Sequence, residues 1–253
     1  MSDAGEVAVV LVGHGSARHP DSAQPIHALA AALTERHGWP AAAVFMKQAP
    51  LLDQALDLVN ARRVVVVPVF AGKGYYTDQL IPKAMGLTGA VTERDGRTIH
   101  YTAPAGTHPR IPGLMACRAA GVAMADGLAL KDCSLLVIAH GSARPGGSGE
   151  TPRAIAESIR AMDAFGEVVL AFLEQEPFAT NWRDLVKGRE LVVLPLLVAQ
   201  GMHASQDIPP LFGLEAGQTG PVAIDGRRAR LASGLGAEPD LVDIVAELVR
   251  GAL

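Results

Sequence analysis

Apolar residues in this chain gather in short, almost unbroken runs: Val7 to Val12, Val64 to Ala71, Leu135 to Ala139 and Leu191 to Ala199. Between them lie longer stretches in which apolar positions return at helical spacing: Ile26 to Arg36, Leu51 to Asn60, Ile111 to Leu130, Thr151 to Met162 and Leu241 to Leu253. Uninterrupted Val/Leu/Ile runs predict strands covered on both faces, as parallel sheets require, and the periodic stretches predict the crossover helices that cover them. Each half of the chain therefore reads as strand, glycine turn, helix, strand, helix, strand, loop, helix, strand and closing helix, with about four strands to a sheet. The longest apolar runs fall well short of a bilayer span and carry a proline, so no membrane partner is expected. The start, Met-Ser-Asp-Ala-Gly-Glu, has no basic segment, and Val7 to Val12 reads as a first strand rather than an export signal.

The two halves repeat. His-Gly-Ser-Ala-Arg occurs at His14 to Arg18 and again at His140 to Arg144, each time at the end of an apolar run. Three more blocks keep nearly the same register: Phe45-Met46-Lys47-Gln48-Ala49-Pro50 with Phe172-Leu173-Glu174-Gln175-Glu176-Pro177, Val64 to Pro68 with Leu191 to Pro195, and Gly74 to Pro82 with Gly201 to Pro209. Four aligned blocks predict an α/β chain of two tandem doubly wound parallel-sheet domains, related by a pseudo-twofold and facing a central cleft. The boundary is placed so that residues 1–130 form the first domain and 131–253 the second. The closing helix of each half is left able to pack on either one.

Composition narrows the partners. With 253 residues, 49% hydrophobic and 19% charged, the chain can bury substantial cores, and a formal charge of −4 without a Lys/Arg-rich run gives no footprint for nucleic acid. Two cysteines, Cys117 and Cys133, form neither a disulfide framework nor a C-x-x-C site, which places the protein in a reducing, cytoplasmic setting. A Gly-x-x-x-x-Gly-Lys-Ser/Thr loop is absent, and no Gly-x-Gly-x-x-Gly turn follows either first strand, so neither ATP nor NAD is expected.

Ligands of open parallel sheets sit beyond the carboxyl ends of the strands, and the repeated blocks fall there. In the second half that rim carries His140, Glu174 and His203, two imidazoles and a carboxylate able to hold a divalent first-row ion with positions to spare. Strand alternation would point Glu176 the same way as Glu174, so the carboxylate is chosen by its alignment with Lys47 and the rival stays open. At the matching places the first half has His14, Lys47 and Tyr76, where an ammonium would repel a cation. The first copy is thus expected to be degenerate. His19, His27, His37, His100 and His108 have no counterpart in the repeat and read as surface or loop residues.

With these residues assembled, the sequence resembles the class II tetrapyrrole chelatases, and among them the sirohydrochlorin chelatases. The likeness is carried by His140-Gly141-Ser142, by Phe172-Leu173-Glu174, and by Gly201-Met202-His203-Ala204-Ser205-Gln206-Asp207-Ile208-Pro209. Lys47, Tyr76 and Leu80 depart from that pattern in the first half. The resemblance implies ATP-independent insertion of Co²⁺ or Fe²⁺ into sirohydrochlorin, with the metal as substrate and His140, His203 and Glu174 as its ligands and proton carriers. It also implies a wall for the carboxylate-rich macrocycle, read as His14, Ser16, Arg18, Lys47, Lys73 and Tyr76 with Ser142 and Arg144. The competing expectations are a tetrapyrrole or metal carrier without turnover, and a metal-dependent hydrolase.

Overall fold

A strand that must bury both faces needs apolar residues at every position, and the first strand of each repeat meets that demand. In the computed structural model, which describes residues 6–142, 149–198, 207–237 and 239–253, β1 (Val7–Gly13) and β6 (Cys133–Ala139) are buried at all seven positions. In the first half β1 is joined by α1 (Gln24–His37), β2 (Ala41–Phe45), β3 (Arg63–Pro68), α2 (Ile81–Met85), β4 (Val91–Arg94), β5 (Arg97–Tyr101) and α3 (Ile111–Ala125). In the second half β6 is followed by α4 (Glu150–Ala161), β7 (Glu167–Phe172), α5 (Trp182–Leu185), β8 (Glu190–Pro195), α6 (Ile208–Leu211), β9 (Val222–Ile224), β10 (Arg227–Leu231) and α7 (Leu241–Ala252). The sheets have the orders β2-β1-β3-β5-β4 and β7-β6-β8-β10-β9. Both are parallel except at one edge, where β4 runs against β5 and β9 against β10. Equivalent registers recur: Gly13 pairs with Phe45 and Ala139 with Phe172.

The sheets thus have five strands rather than four. The additional strand comes from a hairpin whose central residues, Asp95-Gly96 and Asp225-Gly226, have φ of 52° and 72° and of 49° and 72°. Left-handed backbone at both central positions makes the tight turn that matches strand twist, and Asp-Gly is its preferred sequence.

The segment Leu51 to Asn60, expected to be helical, forms a 3₁₀ turn at Leu52–Gln54 and irregular turns after it. Its apolar spacing is still used, since Leu52, Ala55 and Val59 are buried. Its backbone, however, is held from outside. The Arg97 guanidinium donates to the carbonyls of Leu56 at 2.7 Å and Val59 at 3.2 Å, replacing helical partners. Arg227 does the same in the second half, donating to Val186 O at 2.7 Å and Arg183 O at 3.1 Å.

Residues group into two compact units, 1–108 with 239–253 and 109–238. The repeat boundary near residue 130 is therefore not where the contacts divide, because the closing helices are exchanged. α3 packs against α4, β8 and β10, whereas α7 packs against α1, β3 and the turn at Ala105–Thr107. In the first unit, His108 Nε2 lies 3.3 Å from Glu247 Oε2, and Arg250 Nη2 lies 3.2 Å from His37 Nδ1. Those two histidines, read from sequence as surface or loop residues, hold the closing helix. In the second unit, the buried Arg230 guanidinium bonds Asp126, just past the end of α3, and Glu190 Oε2 at 2.8 Å. One face of the first sheet covers Val10, Val12, Val44, Val64, Val66, Ile81 and Ile99; the second core is centred on Trp182 and Phe212, whose rings lie 4.9 Å apart. Among the described residues, no helix is long and apolar enough to cross a membrane.

Candidate functional site

The carboxyl end of β1 delivers His14 into a turn closed by Gly15, at φ 65°, and the end of β6 delivers His140 into the same turn closed by Gly141, at φ 76°. Segments leaving the adjacent strands run alongside. Met46 N–H donates to Gly13 O at 3.2 Å and Lys47 N–H to His14 O at 3.0 Å; Leu173 N–H donates to Ala139 O at 3.0 Å and Glu174 N–H to His140 O at 2.9 Å. Each segment then folds back, Phe45 N–H reaching Pro50 O and Phe172 N–H reaching Pro177 O, both at 2.8 Å. Ala49-Pro50 and Glu176-Pro177 are cis in both copies. Residue 47 or 174 is thereby set beside the histidine of its own half.

In the second unit His140 Nδ1 lies 3.1 Å from Gly141 O and 3.6 Å from Glu174 Oε2. A carbonyl only accepts, so the Gly141 contact assigns the proton to Nδ1 and the lone pair to Nε2 in the neutral ring. Both side chains are substantially exposed, 39% for His140 and 56% for Glu174. Glu174 is the carboxylate beside the imidazole; Glu176 is exposed. His203 and Arg144 lie outside the described residues. Among the described residues no three His, Cys, Asp or Glu side chains come together as a metal cluster.

The first unit builds the same scaffold with different side chains. His14 Nδ1 is 2.9 Å from Gly15 O, and the Tyr76 ring meets the imidazole edge-on, with centroids 5.5 Å apart at 80°. Tyr76 also stacks on Phe70 at 6.5 Å and touches Tyr75 at 5.9 Å. Tyr75 and Tyr76 are nonetheless 53% and 40% exposed, leaving an aromatic surface beside His14. The turn beneath them is anchored by Thr77, whose carbonyl accepts from Tyr101 Oη at 2.7 Å. Burial, helped by the nearby Asp78 charge, pushes the Tyr101 phenol well above its usual range and keeps it a donor. Lys47, Lys73 and Arg18 are exposed on this rim. The Ser16 hydroxyl accepts from His19 N–H at 3.1 Å, and Ser142 is half-buried in the corresponding turn.

Two glutamines at this rim had no part in the expected site. Gln48 Oε1 accepts from Ser16 N–H at 2.7 Å, and Gln175 Oε1 accepts from Ser142 N–H at 2.9 Å. The repeat contained the signal: Phe, Gln and Pro are the identical residues of the Phe45–Pro50 and Phe172–Pro177 blocks.

Comparison with known proteins accords with this duplicated architecture. The CbiX family model matches the chain twice, over residues 8–121 and 134–252. A probable sirohydrochlorin cobaltochelatase of Halobacterium salinarum is 31% identical over 95% of this chain and 89% of its own length. Among solved structures, DR2241 of Deinococcus radiodurans, a multi-domain protein with structural similarity to chelatases, superposes with a TM-score of 0.78 at 26% identity over 97% of this chain. This chain spans about half of that protein, 54% of its length. The structure of CbiX described as the terminal enzyme for biosynthesis of siroheme in denitrifying bacteria matches with a TM-score of 0.72 and 25% identity, over 98% of this chain and 99% of that one. With a family match across both halves and a full-length relative at this identity, the chain belongs to the CbiX family.

Proposed function

We propose that the protein is a sirohydrochlorin chelatase that exchanges two pyrrole protons of the macrocycle for a divalent metal, cobalt or ferrous iron, without ATP or a nicotinamide. The observation that carries this reading is the pairing of His140 with Glu174 at the rim of the second unit, where the first unit sets His14 beside Lys47. Imidazole and carboxylate suit both halves of the exchange. They replace waters on the incoming ion, and as bases they take the protons that leave nitrogen. The proton on His140 Nδ1, donated to Gly141 O, makes Nε2 the nitrogen for that work. His203 is assigned as the third ligand from the sequence pattern.

The first unit, lacking a carboxylate at position 47, serves the macrocycle. His14, Tyr76, Lys47, Lys73, Arg18 and Ser16 of the first repeat, and Ser142 and Arg144 of the second, are assigned from the sequence pattern as contacts for its conjugated ring and carboxylates. Cys117 and Cys133 are free thiols, in keeping with a reducing, cytoplasmic setting. Two relatives bear on the metal: the Halobacterium protein is named for cobalt, and the CbiX structure is described by siroheme, an iron product. Affinity at nitrogen and oxygen ligands favours cobalt over ferrous iron.

Anaerobic mixing of catalytic protein with sirohydrochlorin and either ion tests the reading, followed by the visible spectrum. Many equivalents of metallated product per protein are expected, abolished by His140→Ala, strongly reduced by Glu174→Gln, and retained at saturating macrocycle in His14→Ala. A spectral change that stops at one equivalent would make the protein a carrier.

A further inference from the structure

A repeat whose chemistry has diverged shows by its unchanged residues what the scaffold needs. Position 47 is Lys where 174 is Glu, yet the next residue is glutamine in both copies, and in both its carbonyl accepts the amide proton two residues beyond the histidine. The glutamine stem fills space that the turn leaves open. A Cβ added to Gly141 would stand 2.6 Å from Gln175 Cγ, and one added to Gly149, just before α4, 2.8 Å from Gln175 Nε2. A Cβ at Gly15 would stand 2.8 Å from Gln48 Cγ. Gln48 also uses its other end, Nε2 donating to Pro20 O at 3.3 Å, so one amide spans the loop from β1 towards α1.

We infer that Gln175 is the positioning residue of the His140–Glu174 pair, and that Gln48 performs the same service for the His14 turn. The inference rests on the function proposed above for its catalytic readout. Glu174 and Gln175 are consecutive: the first donates its N–H to the His140 carbonyl, and the second takes the Ser142 N–H. The two bonds bracket Gly141 and fix the turn that follows the histidine against the segment that supplies the carboxylate. Without the second, the turn hinges at Gly141, and the imidazole loses its register with the carboxylate. Because position 47 is a lysine, loss of the Gln48 bond disturbs only how the aromatic and basic rim of the first unit is presented.

The test uses the full chain with Gln175→Met, which keeps the stem and removes the acceptor, Gln175→Glu, which restores an acceptor, and Gln48→Met. In Gln175→Met, amide exchange at Ser142 is expected to accelerate at least tenfold, Co²⁺ affinity measured by calorimetry without macrocycle to fall about tenfold, and kcat for metallation to fall about tenfold with a rise in KM for sirohydrochlorin of no more than about threefold. Gln175→Glu should recover slow exchange and Co²⁺ binding to within about threefold of the parent. Gln48→Met should accelerate exchange at Ser16 and raise KM for sirohydrochlorin, leaving Co²⁺ affinity alone. Unchanged Ser142 exchange in Gln175→Met overturns the inference. So does a parallel loss of Co²⁺ and macrocycle affinity that Gln175→Glu fails to rescue, since that pattern marks general loosening. A parent protein that neither binds Co²⁺ nor metallates sirohydrochlorin sinks the proposed function instead, while the exchange rates still report on the two amides.

Discussion

Replacing Arg230 by methionine removes the cation that ties the end of α3 to the second sheet. The guanidinium side chain is 4% exposed and bonds Asp126, 33% exposed, and Glu190, 17% exposed. Breaking a buried pair from one side costs about 3–5 kcal/mol, because the partner charge is left unmatched. Here the cost falls toward about 3 kcal/mol on that scale, since Glu190 keeps Arg228 Nη2 at 2.6 Å and Asp126 can turn to water. A chain of this size loses roughly 2–4 °C per kcal/mol, so the second unit should melt roughly 6–12 °C lower. Trp182, fully buried in the second unit, reports that transition in a Trp39→Phe background, since Trp39 belongs to the first. Asp126→Asn supplies the other arm of a double-mutant cycle, with an expected coupling of about 1–2 kcal/mol. Since Asp126 is encoded in the first repeat and Arg230 in the second, that coupling is the energetic mark of the helix exchange. A coupling below about 0.5 kcal/mol, or a Trp182 transition that Arg230→Met leaves in place, would refute the reasoning.

Three further outcomes are expected. Burial alone would raise the Glu190 carboxyl, but hydrogen bonds and charge from Arg228 and Arg230 outweigh it and hold the group below its ordinary 4.5. A depressed carboxylate contributes stability above its unfolded pKa and loses it as pH falls through the folded one, so an acid titration followed by Trp182 should show a slope below about pH 4.5 that Glu190→Gln flattens. Gly141→Ala places a side chain at φ 76° and against Gln175 Cγ, so Co²⁺ affinity should drop at least about tenfold by calorimetry, while Gly15→Ala should leave it unchanged. Arg227→Met strips two carbonyls of a charged donor and should cost about 1.5–3 kcal/mol in guanidinium melts, with a shifted Trp182 emission because the guanidinium lies 5.6 Å from that ring.

Much of the architecture was legible because both sheets write their central strands in unbroken aliphatic residues, and because a duplicated chain shows its rim twice. The proximity of His140 and Glu174 could be read that way: each ends a strand, and the strands are neighbours. The hairpins were missed although Arg94-Asp95-Gly96-Arg97 and Ile224-Asp225-Gly226-Arg227 carry the turn in plain view. An alternating pattern of crossovers suggests one more parallel strand, whereas two residues with positive φ reverse the chain at once. Leu51 to Asn60 looked helical because burial of Leu52, Ala55 and Val59 suits a helix, and periodicity is blind to the distant Arg97 that takes the carbonyls. The exchange of α3 and α7 leaves no local trace, as an apolar helix face fits either sheet. Gln48 and Gln175 stood in the repeat unassigned, since an amide does not titrate and its worth lies wholly in where a backbone N–H happens to point.

Because α7 completes the first unit, a helix encoded beyond the whole second sheet guards the earlier of the two sheets. A ribosome that has finished residue 108 has made every strand of that sheet but not the helix that seals β3 and α1. A stop codon ahead of Leu241 would leave the second sheet with its cover, α3, in place and strip α7 from the first. Splitting the gene at the repeat junction would yield two fragments that each carry the other's missing helix, and that regain their covers only by trading them.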